Sequence, residues 1–400
     1  MADLERISDL ERRYVDDVLA SSFSSSAGAQ FMKRFEGAFA EKFTSAYAIS
    51  MVNGTATLHT VLEALDIGPG DEVVVPPLTM SSTTLAVLQC GATPIFADVD
   101  RSTFQIDPKE VDRCLSERTR AVMTVALYGG APRLAEIRAL CDKRGVALVE
   151  DNAECFFGRS GGQLVGTFGD AASFSFQSSK HLTSGEGGVV ITNDGHLADR
   201  IRRISSLGYA GVSSDAPKIS KGVIQSPSYF RHLQLGWNYR MPELCAAVAL
   251  AQTERMEELV SCRMAAAEIM KGALDGCGWL RVQSIYDGDV HSYWTLVVEV
   301  DTSKVPWDSF YAELQRCEAD LPYGAWQLSY NEPMLREMAL LGRENFLPVG
   351  YRDYISSDPC PVASALQPML MQFPTNYWSA ESAERQGERI SLAISNLGRG

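Results

Sequence analysis

The segment FSFQSSKHLTSGEGG places Lys180 between an alternating aromatic stretch and a loop rich in glycine. The alternation of apolar and polar residues at 171–176 predicts a strand, and the polar residues 177–179 end it. The glycines around Glu186 permit backbone conformations that other residues avoid. A lysine in such a setting can form a Schiff base with a carbonyl compound. A solvated surface lysine is the alternative, and this segment alone leaves both interpretations open.

Two further segments carry residue types that suit a phosphorylated ligand. In VNGTATLHTVLEAL, Asn53, Gly54 and Thr55 stand where a loop turns into a predicted helix, and the free N–H groups of a helix start bind phosphate. In LVEDNAECFFG, Asp151 follows an apolar strand, at the strand end where open α/β sheets bind ligands. Each segment has an ordinary alternative: a capped helix without a ligand for the first, and a cap of the next helix for the second.

Together the three segments match the requirements of pyridoxal 5'-phosphate. This cofactor needs a lysine amine for its aldehyde, an acid that keeps its pyridine nitrogen protonated, and a helix start with hydroxyl groups for its phosphate. Lys180, Asp151 and the helix start at Gly54 provide these groups, and Ser175 offers a hydroxyl five residues before the lysine. The sequence therefore predicts a pyridoxal-phosphate enzyme.

Strands and helices alternate from about residue 45 to 210, which predicts the α/β sheet that positions these residues. Amphipathic stretches predict helices, one of which starts at Asp107-Pro108 and another of which ends at Gly145. Such repetition is typical of a mostly parallel sheet covered by helices. Buried strands are predicted at DEVVVP (71–76), ATPIFADV (92–99), RAVMTVAL (120–127) and GVALVED (145–151).

The second half of the chain is less regular. Residues 211–238 form a long polar segment with scattered aromatics, which is typical of functional or mobile loops. One long helix is predicted over 241–260, with Pro242 in its first turn. Further helices and a strand at HSYWTLVVEVD predict a smaller α+β domain. We expect a large domain over residues 1–260, with an N-terminal helical segment, and a small domain over 261–400.

Composition limits the possible partners and compartments. The 400 residues include 36 basic and 50 acidic ones, and the net charge of −14 disfavours nucleic acid or an anionic membrane as a partner. No apolar run approaches the ~18 residues of a bilayer span, and the charged N-terminus lacks the features of a signal peptide. Nine cysteines without paired or metal-like spacing indicate a reducing cytoplasm, and neither a disulfide framework nor a metal site.

Four blocks of the chain resemble the signature segments of the DegT/DnrJ/EryC1/StrS aminotransferases: NGTATL, EDNAE, GTFGDAASFSFQSSKHLTSGEGGVVITND and GWNYRMPELCAAVALAQ. Their order and spacing agree with that family from about residue 30 to 300. The resemblance implies the fold type I of PLP-dependent aminotransferases, an α/β fold with a large domain built on a mixed, mainly parallel sheet flanked by helices plus a smaller C-terminal α+β domain. It also implies transfer of an amino group from glutamate or glutamine to a keto sugar.

The resemblance assigns roles to individual residues. It implies that the catalytic residues are Lys180, which forms the Schiff base, and Asp151, which pairs with the pyridine nitrogen. The other cofactor-binding positions that it implies are Gly54, Thr55 and Ser175 at the phosphate, Ala153 at one face of the ring, and Asn238 at the phosphate of the neighbouring subunit. A homodimer with shared active sites follows from the last of these.

Three positions depart from the family pattern. Met80 stands where many relatives place an aromatic ring against the cofactor, and a thioether can replace such stacking in part. Glu154 stands where Gln or His is usual, near the ring hydroxyl, and Ala126 replaces a frequent His. Some relatives with His in place of the lysine catalyse sugar dehydration, so Lys180 favours amino transfer.

The substrate site is less well specified by the sequence. The resemblance places His291 near the substrate. Tyr229, Arg231 and Tyr323 stand in segments where aromatic and basic groups suit a sugar nucleotide, although ordinary packing explains the aromatics equally well. We expect a nucleotide-linked 4-keto-6-deoxy sugar. A keto cyclitol as the acceptor, a PLP-dependent sugar dehydratase, and a binding protein on a degenerate enzyme fold remain alternatives.

Overall fold

A seven-stranded sheet of mixed direction forms the centre of the protein, for which the computed structural model describes residues 3–21, 23 and 29–400. The expected large domain also includes residues 1, 2, 22 and 24–28, which lie outside the described residues. The strands are β1 (Tyr47–Met51), β2 (Glu72–Val75), β3 (Thr93–Phe96), β4 (Thr119–Val125), β5 (Ala147–Asp151), β6 (Arg159–Ser160), β7 (Gln163–Leu164), β8 (Ala171–Ser175), β9 (Gly188–Thr192), β10 (Leu280–Val282), β11 (Thr295–Val300), β12 (Tyr323–Gly324) and β13 (Leu370–Pro374).

Helices cover both faces of this sheet and form most of the remaining regular structure. They are α1 (Asp9–Ala20), α2 (Gln30–Lys42), α3 (Gly54–Ala64), α4 (Ser82–Gln89), α5 (Pro108–Cys114), α6 (Leu134–Arg144), α7 (Gly195–Ile204), α8 (Lys221–Gln225), α9 (Glu243–Glu254), α10 (Met256–Leu274), α11 (Trp307–Arg316), α12 (Pro333–Arg336), α13 (Tyr351–Ser356), α14 (Pro361–Leu366) and α15 (Ala380–Leu397).

The strand order of the central sheet is β1-β9-β8-β5-β4-β2-β3. β9 runs antiparallel to both of its neighbours, and the other neighbouring strands pair in parallel. The four buried strands predicted between residues 71 and 151 are β2 to β5, the strand predicted at 171–176 is β8, and β5 lies in the middle of the sheet. This mixed, mainly parallel sheet flanked by helices confirms the predicted fold class.

Local signals in the sequence set the helix boundaries of this domain. The side chain of Asp107 accepts a hydrogen bond from the N–H of Lys109 at 2.9 Å and caps α5, whose first residue is Pro108. Gly145 ends α6 with a φ of 65°, in the left-handed region that favours glycine. Both boundaries lie where the sequence predicts them.

The alternation of β8 and the residue after it turns Phe174 and Phe176 toward α2 and α9. Phe174 and Phe176 lie 5.1 and 5.9 Å from Phe39 of α2, measured between ring centroids, and Phe156 contacts all three rings. These side chains are fully buried in a core between the sheet and the two helices. This core therefore explains why aromatic residues occupy alternate positions of the strand.

The serines of β8 face the opposite side of the sheet, toward α3. The hydroxyl of Ser173 lies 2.5 Å from that of Thr57. Gly54 begins α3 so close to Ser175 that a Cβ added to the glycine would lie 3.1 Å from the Cβ of the serine. Glycine thus allows the helix start to approach the strand end.

The structure differs from the single long helix predicted over 241–260. α9 ends at Glu254 and α10 begins at Met256, with Arg255 between them at φ −103° and ψ 12°. The guanidinium of Arg255 binds a carboxylate oxygen of Glu11 at 3.0 Å and the carbonyl oxygen of Glu5 at 2.6 Å. The break coincides with a contact to the N-terminal segment, which local periodicity does not reveal.

A four-stranded antiparallel sheet of order β10-β11-β13-β12 forms the centre of the smaller domain. α10 passes from one core to the other, so we propose that the domain boundary near 260/261 lies within this helix. Of its side chains, Met256, Leu259 and Val260 pack in the core beneath α2, and Ala267, Met270 and Leu274 in that of the small domain.

Part of the C-terminal half returns to the large domain. The side chain of Asp98, just beyond β3, accepts hydrogen bonds from the N–H groups of Val362 and Ala363 at 2.8 and 2.9 Å. The hydroxyl oxygen of Tyr354 accepts a hydrogen bond from the backbone N–H of Phe96 at 2.8 Å. The chain beyond residue 260 therefore supports both sheets.

None of the described helices combines the length and hydropathy that a bilayer-spanning segment requires. The long polar segment, 211–238, contains only the short helix α8 as regular structure, and most of its residues are exposed.

We predict that Phe39→Ala lowers the free energy of unfolding by about 3–5 kcal/mol, because it opens a cavity among the five aromatic rings that surround Phe39. Denaturant-induced unfolding followed by circular dichroism measures the change. Leu392→Ala, at a half-exposed position of α15, is the control and should change stability little. Equal losses in the two variants would contradict the importance of the aromatic core.

Candidate active site

The carboxyl ends of β5 and β8 and the start of α3 enclose a cavity of about 450 Å³. It lies at the sheet edge where the sequence predicts ligand binding. The predicted cofactor-binding residues line it with the exception of Asn238; they are Gly54, Thr55, Met80, Asp151, Ala153, Glu154, Ser175 and Lys180. Residues as far apart in the chain as 54 and 180 thus meet around one space.

Asp151 lies at the bottom of this cavity with almost no solvent exposure. One carboxylate oxygen accepts a hydrogen bond from the hydroxyl of Thr83 at 2.9 Å, and the other accepts one from the N–H of Ala153 at 3.2 Å. Burial raises the pKa of Asp151, while these hydrogen bonds and the charge of Lys180 oppose the rise. Among the described residues Asp151 has no direct cationic partner, and such a buried carboxylate fits the protonated pyridine nitrogen of pyridoxal phosphate.

The amine of Lys180 contacts a second buried carboxylate. Its Nζ lies 3.1 Å from Oε1 of Glu154 and 4.1 Å from the ring centroid of Trp294. The other oxygen of Glu154 accepts the N–H of Tyr128 at 2.9 Å. Burial raises the pKa of Glu154, and the charge of Lys180 is the largest opposing influence.

Three side chains fasten the loop that carries the lysine. Arg6 donates to the carbonyl oxygen of Lys180 at 2.8 Å. Arg263 and the indole of Trp294 donate to the carbonyl oxygen of Ser179 at 3.3 and 2.9 Å. The backbone on both sides of the amine is therefore held in place by the N-terminal segment and by the small domain.

The start of α3 offers donors for a phosphate. The side chain of Asn53 caps the helix by accepting the N–H of Ala56 at 2.8 Å, and the first N–H groups of a helix have no intrahelical partner. The hydroxyl of Thr55 donates to that of Ser82 at 2.9 Å, and the hydroxyl of Ser175 lies 3.5 Å from a Cβ built on Gly54. This set of N–H and hydroxyl groups fits a phosphate.

Residues 5–339 match the DegT/DnrJ/EryC1/StrS aminotransferase family. The chain belongs to this family. The GDP-perosamine synthase of Vibrio cholerae is 37% identical over 291 residues, which are 73% of this chain and 75% of that protein. The GDP-perosamine synthase of Escherichia coli O157:H7 is 36% identical over 295 residues, 74% of this chain and 76% of that protein.

The fold has a close counterpart among solved structures. The aminotransferase from Psychrobacter cryohalolentis superposes with a TM-score of 0.83 at 28% identity, over 99% of each chain. This chain is therefore a sugar aminotransferase of the DegT type, and its cofactor is pyridoxal phosphate.

Met80 forms part of the rim of the cofactor cavity in this aminotransferase and is 46% exposed. Its sulfur accepts hydrogen bonds from the backbone nitrogen and the hydroxyl of Ser82 at 3.0 and 2.8 Å. The thioether is thus anchored beside the phosphate donors. Ala126, the third departure from the family pattern, is buried, and its N–H donates to the carbonyl oxygen of Asp151 at 3.0 Å.

A second and larger cavity of about 840 Å³ adjoins the cofactor cavity. The two share Ser179, Trp294 and Trp326 as lining residues, and Tyr323 lines only the larger one, with 69% of its surface exposed. Trp326 stacks on Trp294 with 5.7 Å between ring centroids. These tryptophans form the wall where the two cavities meet.

Sequence reasoning missed three residues of the cofactor site. Thr83 binds Asp151, and Trp294 and Trp326 line the cofactor cavity. A polar SSTT stretch at the start of a predicted helix was the available signal for Thr83. Trp294 stands three residues after His291 in the segment HSYWTLVVEVD, but nothing local in the sequence directs its ring to Lys180.

Three predicted residues of the aminotransferase lie on an exposed segment, away from both cavities of the same chain. Asn238 and Arg231 are exposed. The hydroxyl of Tyr229 donates to the carbonyl oxygen of Ala210 at 2.7 Å. Neither cavity of the described residues includes them.

His291 is buried behind Gly130 and lines neither of the two cavities. Its Nδ1 accepts the N–H of Tyr293 at 3.0 Å, and its Nε2 lies 3.0 Å from Oε1 of Gln283. Because the amide nitrogen of Gln283 donates to the carbonyl oxygen of Thr103 at 2.7 Å, its oxygen must face the imidazole. His291 is therefore neutral with its proton on Nε2, and burial lowers its pKa to about 3.

We predict that this histidine makes the protein less stable as the pH falls. The unfolded chain binds a proton near the ordinary pKa of 6.5, whereas the folded chain does not until about pH 3. The stabilisation is complete above pH 6.5 and decreases below it by up to about 1.4 kcal/mol for each pH unit. Urea unfolding at about pH 7.5 and about pH 5 should show a smaller difference for His291→Gln than for the wild type. An unchanged difference would contradict the neutral assignment.

Proposed function

We propose that this aminotransferase moves an amino group from glutamate or glutamine to a nucleotide-linked 4-keto-6-deoxy sugar in amino sugar biosynthesis. The observation that carries the proposal is the meeting of Lys180 and Asp151 in one cavity, beside a larger cavity with room for a second ligand. The relatives in Vibrio cholerae and Escherichia coli are named for a GDP-linked sugar product, which supports a nucleotide-linked acceptor.

Two residues are proposed as catalytic. Pyridoxal phosphate, when bound, withdraws electrons from the carbon that exchanges the amino group. Lys180 would bind its aldehyde and then move a proton to and from that carbon through Nζ. Asp151 would hold the proton of the ring nitrogen. Glu154, 3.1 Å from Nζ and with a pKa raised by burial, is the acceptor within reach when the amine must lose a proton.

The remaining cofactor contacts follow from the cavity walls. Gly54, Thr55 and Ser175 would bind the phosphate, because they provide the helix start and hydroxyl groups at one end of the cavity. Ala153 and Met80 would contact the ring, because both line the cavity and a thioether makes favourable contacts with an aromatic ring.

The acceptor would occupy the larger cavity, where Tyr323 offers an aromatic surface. Tyr229 and Arg231 would reach the acceptor in the partner's site, since they are remote from both cavities of their own chain. His291 would contact neither ligand and would act indirectly, by accepting a hydrogen bond from the N–H of Tyr293.

A homodimer with shared sites is proposed from the segment that contains Asn238. Phe230, Leu233 and Leu235 are 84%, 62% and 77% exposed, and an apolar patch of this kind usually marks an interface. The segment would cover the partner's cofactor cavity and bring Asn238 to its phosphate. We also propose a cytoplasmic location, because all nine cysteines are free.

Lys180→Ala should abolish amino transfer and the visible absorbance of the bound cofactor, because no other amine lines the cavity within the described residues. Asp151→Asn should retain the cofactor but lower kcat by at least about 100-fold, the usual scale for losing a charge that stabilises the transition state. Lys143→Ala, on the exposed face of α6, is the matched control. Full turnover by Lys180→Ala would contradict the proposal.

The substrate class requires a separate assay. GDP- and dTDP-linked 4-keto-6-deoxy sugars and a keto cyclitol are incubated with glutamate or glutamine, and the products are identified by mass. We expect an amine in place of the carbonyl oxygen of a nucleotide sugar, and the 2-keto acid of the donor. A dehydrated sugar formed without an amino donor would instead establish a dehydratase.

Complementation tests the shared site. Lys180→Ala and Asn238→Ala subunits are mixed under conditions that exchange partners. If Asn238 acts in the partner's site, each hybrid dimer has one intact site and one doubly altered site. Because random exchange makes half of the dimers hybrids, activity should recover to about a quarter of the wild type. No recovery above the two separate variants would show that Asn238 acts within its own chain.

A further inference from the structure

His59, Glu63 and Cys90 form a cluster at the far end of α3 from the phosphate site. Among the described residues this is the group whose side chains have metal-ligand types within 4.8 Å of one another. The ring nitrogens of His59 already contact protein groups: Nδ1 lies 3.1 Å from the hydroxyl of Tyr239, outside the cluster, and Nε2 lies 3.1 Å from Oε1 of Glu63, within it, without the geometry of a hydrogen bond. The cluster therefore has a different use, and its contacts lead to the segment that contains Asn238.

Both neighbours of Asn238 in the chain turn toward α3. The indole nitrogen of Trp237 donates to Oε2 of Glu63 at 2.8 Å. Burial raises the pKa of Glu63, but the contacts from His59 and Trp237 outweigh it, so that the carboxylate stays ionised. The rings of Trp237 and Tyr239 stack at 5.9 Å with 12° between their planes.

The backbone of this segment is also fixed by hydrogen bonds. The N–H of Tyr239 donates to the carbonyl oxygen of Ser205 at 3.0 Å, and its carbonyl oxygen accepts the N–H of Val52 at 2.9 Å. Gly236 allows the close approach, because a Cβ there would lie 2.3 Å from the backbone nitrogen of Gly208. In an extended chain successive side chains point to opposite sides, so two inward neighbours leave Asn238 pointing outward, and it is exposed.

We propose that His59 and Glu63 are positioning residues that fix Trp237 and Tyr239 and thereby present Asn238 to the cofactor phosphate of the partner subunit. This inference rests on the shared site proposed above. α3 would then serve two active sites: its first residues would serve the phosphate in its own subunit, and its second half would serve the phosphate in the partner.

A double-mutant cycle tests the proposal through cofactor affinity. Apoprotein is titrated with pyridoxal phosphate, and binding is followed by absorbance, for Tyr239→Phe, Asn238→Ala and the double variant. We expect Asn238→Ala to weaken binding about tenfold and Tyr239→Phe, which removes one hydroxyl, about fivefold. The double variant should bind as weakly as Asn238→Ala alone, because both changes remove the same contact. Glu63→Gln should behave as Tyr239→Phe does.

Several results would overturn the proposal. Losses that multiply in the double variant would show that the cluster acts through the start of α3 and not through Asn238. A Tyr239→Phe variant with wild-type affinity, or one that sediments as a monomer, would show that the hydroxyl does not position Asn238. If Asn238→Ala itself binds the cofactor normally, the proposal of a shared site is wrong too. That result differs from the two above, in which Asn238 matters but the cluster does not position it.

Tyr330→Phe is the matched control. Its hydroxyl is also buried and lies 2.9 Å from both Asp358 and Ser364, in the part of the chain packed on β3. It should leave cofactor affinity unchanged. A loss equal to that of Tyr239→Phe would attribute both effects to general destabilisation and contradict the positioning role.

Discussion

The charge balance of one buried cavity governs the arrangement of the active site. Asp151 and Glu154 bring two carboxylates into it, and Lys180 brings one amine, which pairs directly with Glu154. Asp151 is left with a hydroxyl and a backbone N–H as donors. Burying an ionised carboxylate without a cation is costly. The described residues of the protein therefore leave the negative charge of Asp151 without a cation in this cavity. The protonated ring nitrogen of pyridoxal phosphate would supply the missing charge, and this is the reason for proposing that it pairs with Asp151.

Strand geometry brings these groups together. β5 and β8 are parallel neighbours in the middle of the sheet, so their carboxyl ends meet at one edge. The two-residue period of β8 then separates its functions, since Phe174 enters the aromatic core and Ser175 faces the start of α3. A shift of one residue in β8 would turn the serines toward the aromatic core and the phenylalanines toward the proposed phosphate site. The packing of the core therefore fixes the register of the strand that precedes Lys180.

The sequence predicts what local periodicity encodes. β2 to β5, the start of α5 at Pro108 and the end of α6 at Gly145 follow from apolar spacing and cap residues. Contacts between distant segments leave no such pattern: Thr83 reaches Asp151 across 68 positions, and the helix break at Arg255 coincides with a contact to Glu11, 244 positions away. For the same reason Trp294 and Trp326 were recognisable as aromatics but not as walls of the cofactor cavity.

The exposed segment that contains Asn238 would be unfavourable in an isolated chain. It exposes large apolar side chains, yet its end at Trp237 and Tyr239 is fixed by hydrogen bonds to α3 and by backbone pairing on both sides. Fixing a segment costs conformational entropy. The ordered segment lines neither cavity of its own subunit, so this cost is not offset there. It becomes favourable if the ordered segment docks on a second copy, because a preorganised surface loses less entropy on binding. Rigid contacts beneath an apolar surface are therefore an argument for a dimer that is independent of any sequence resemblance.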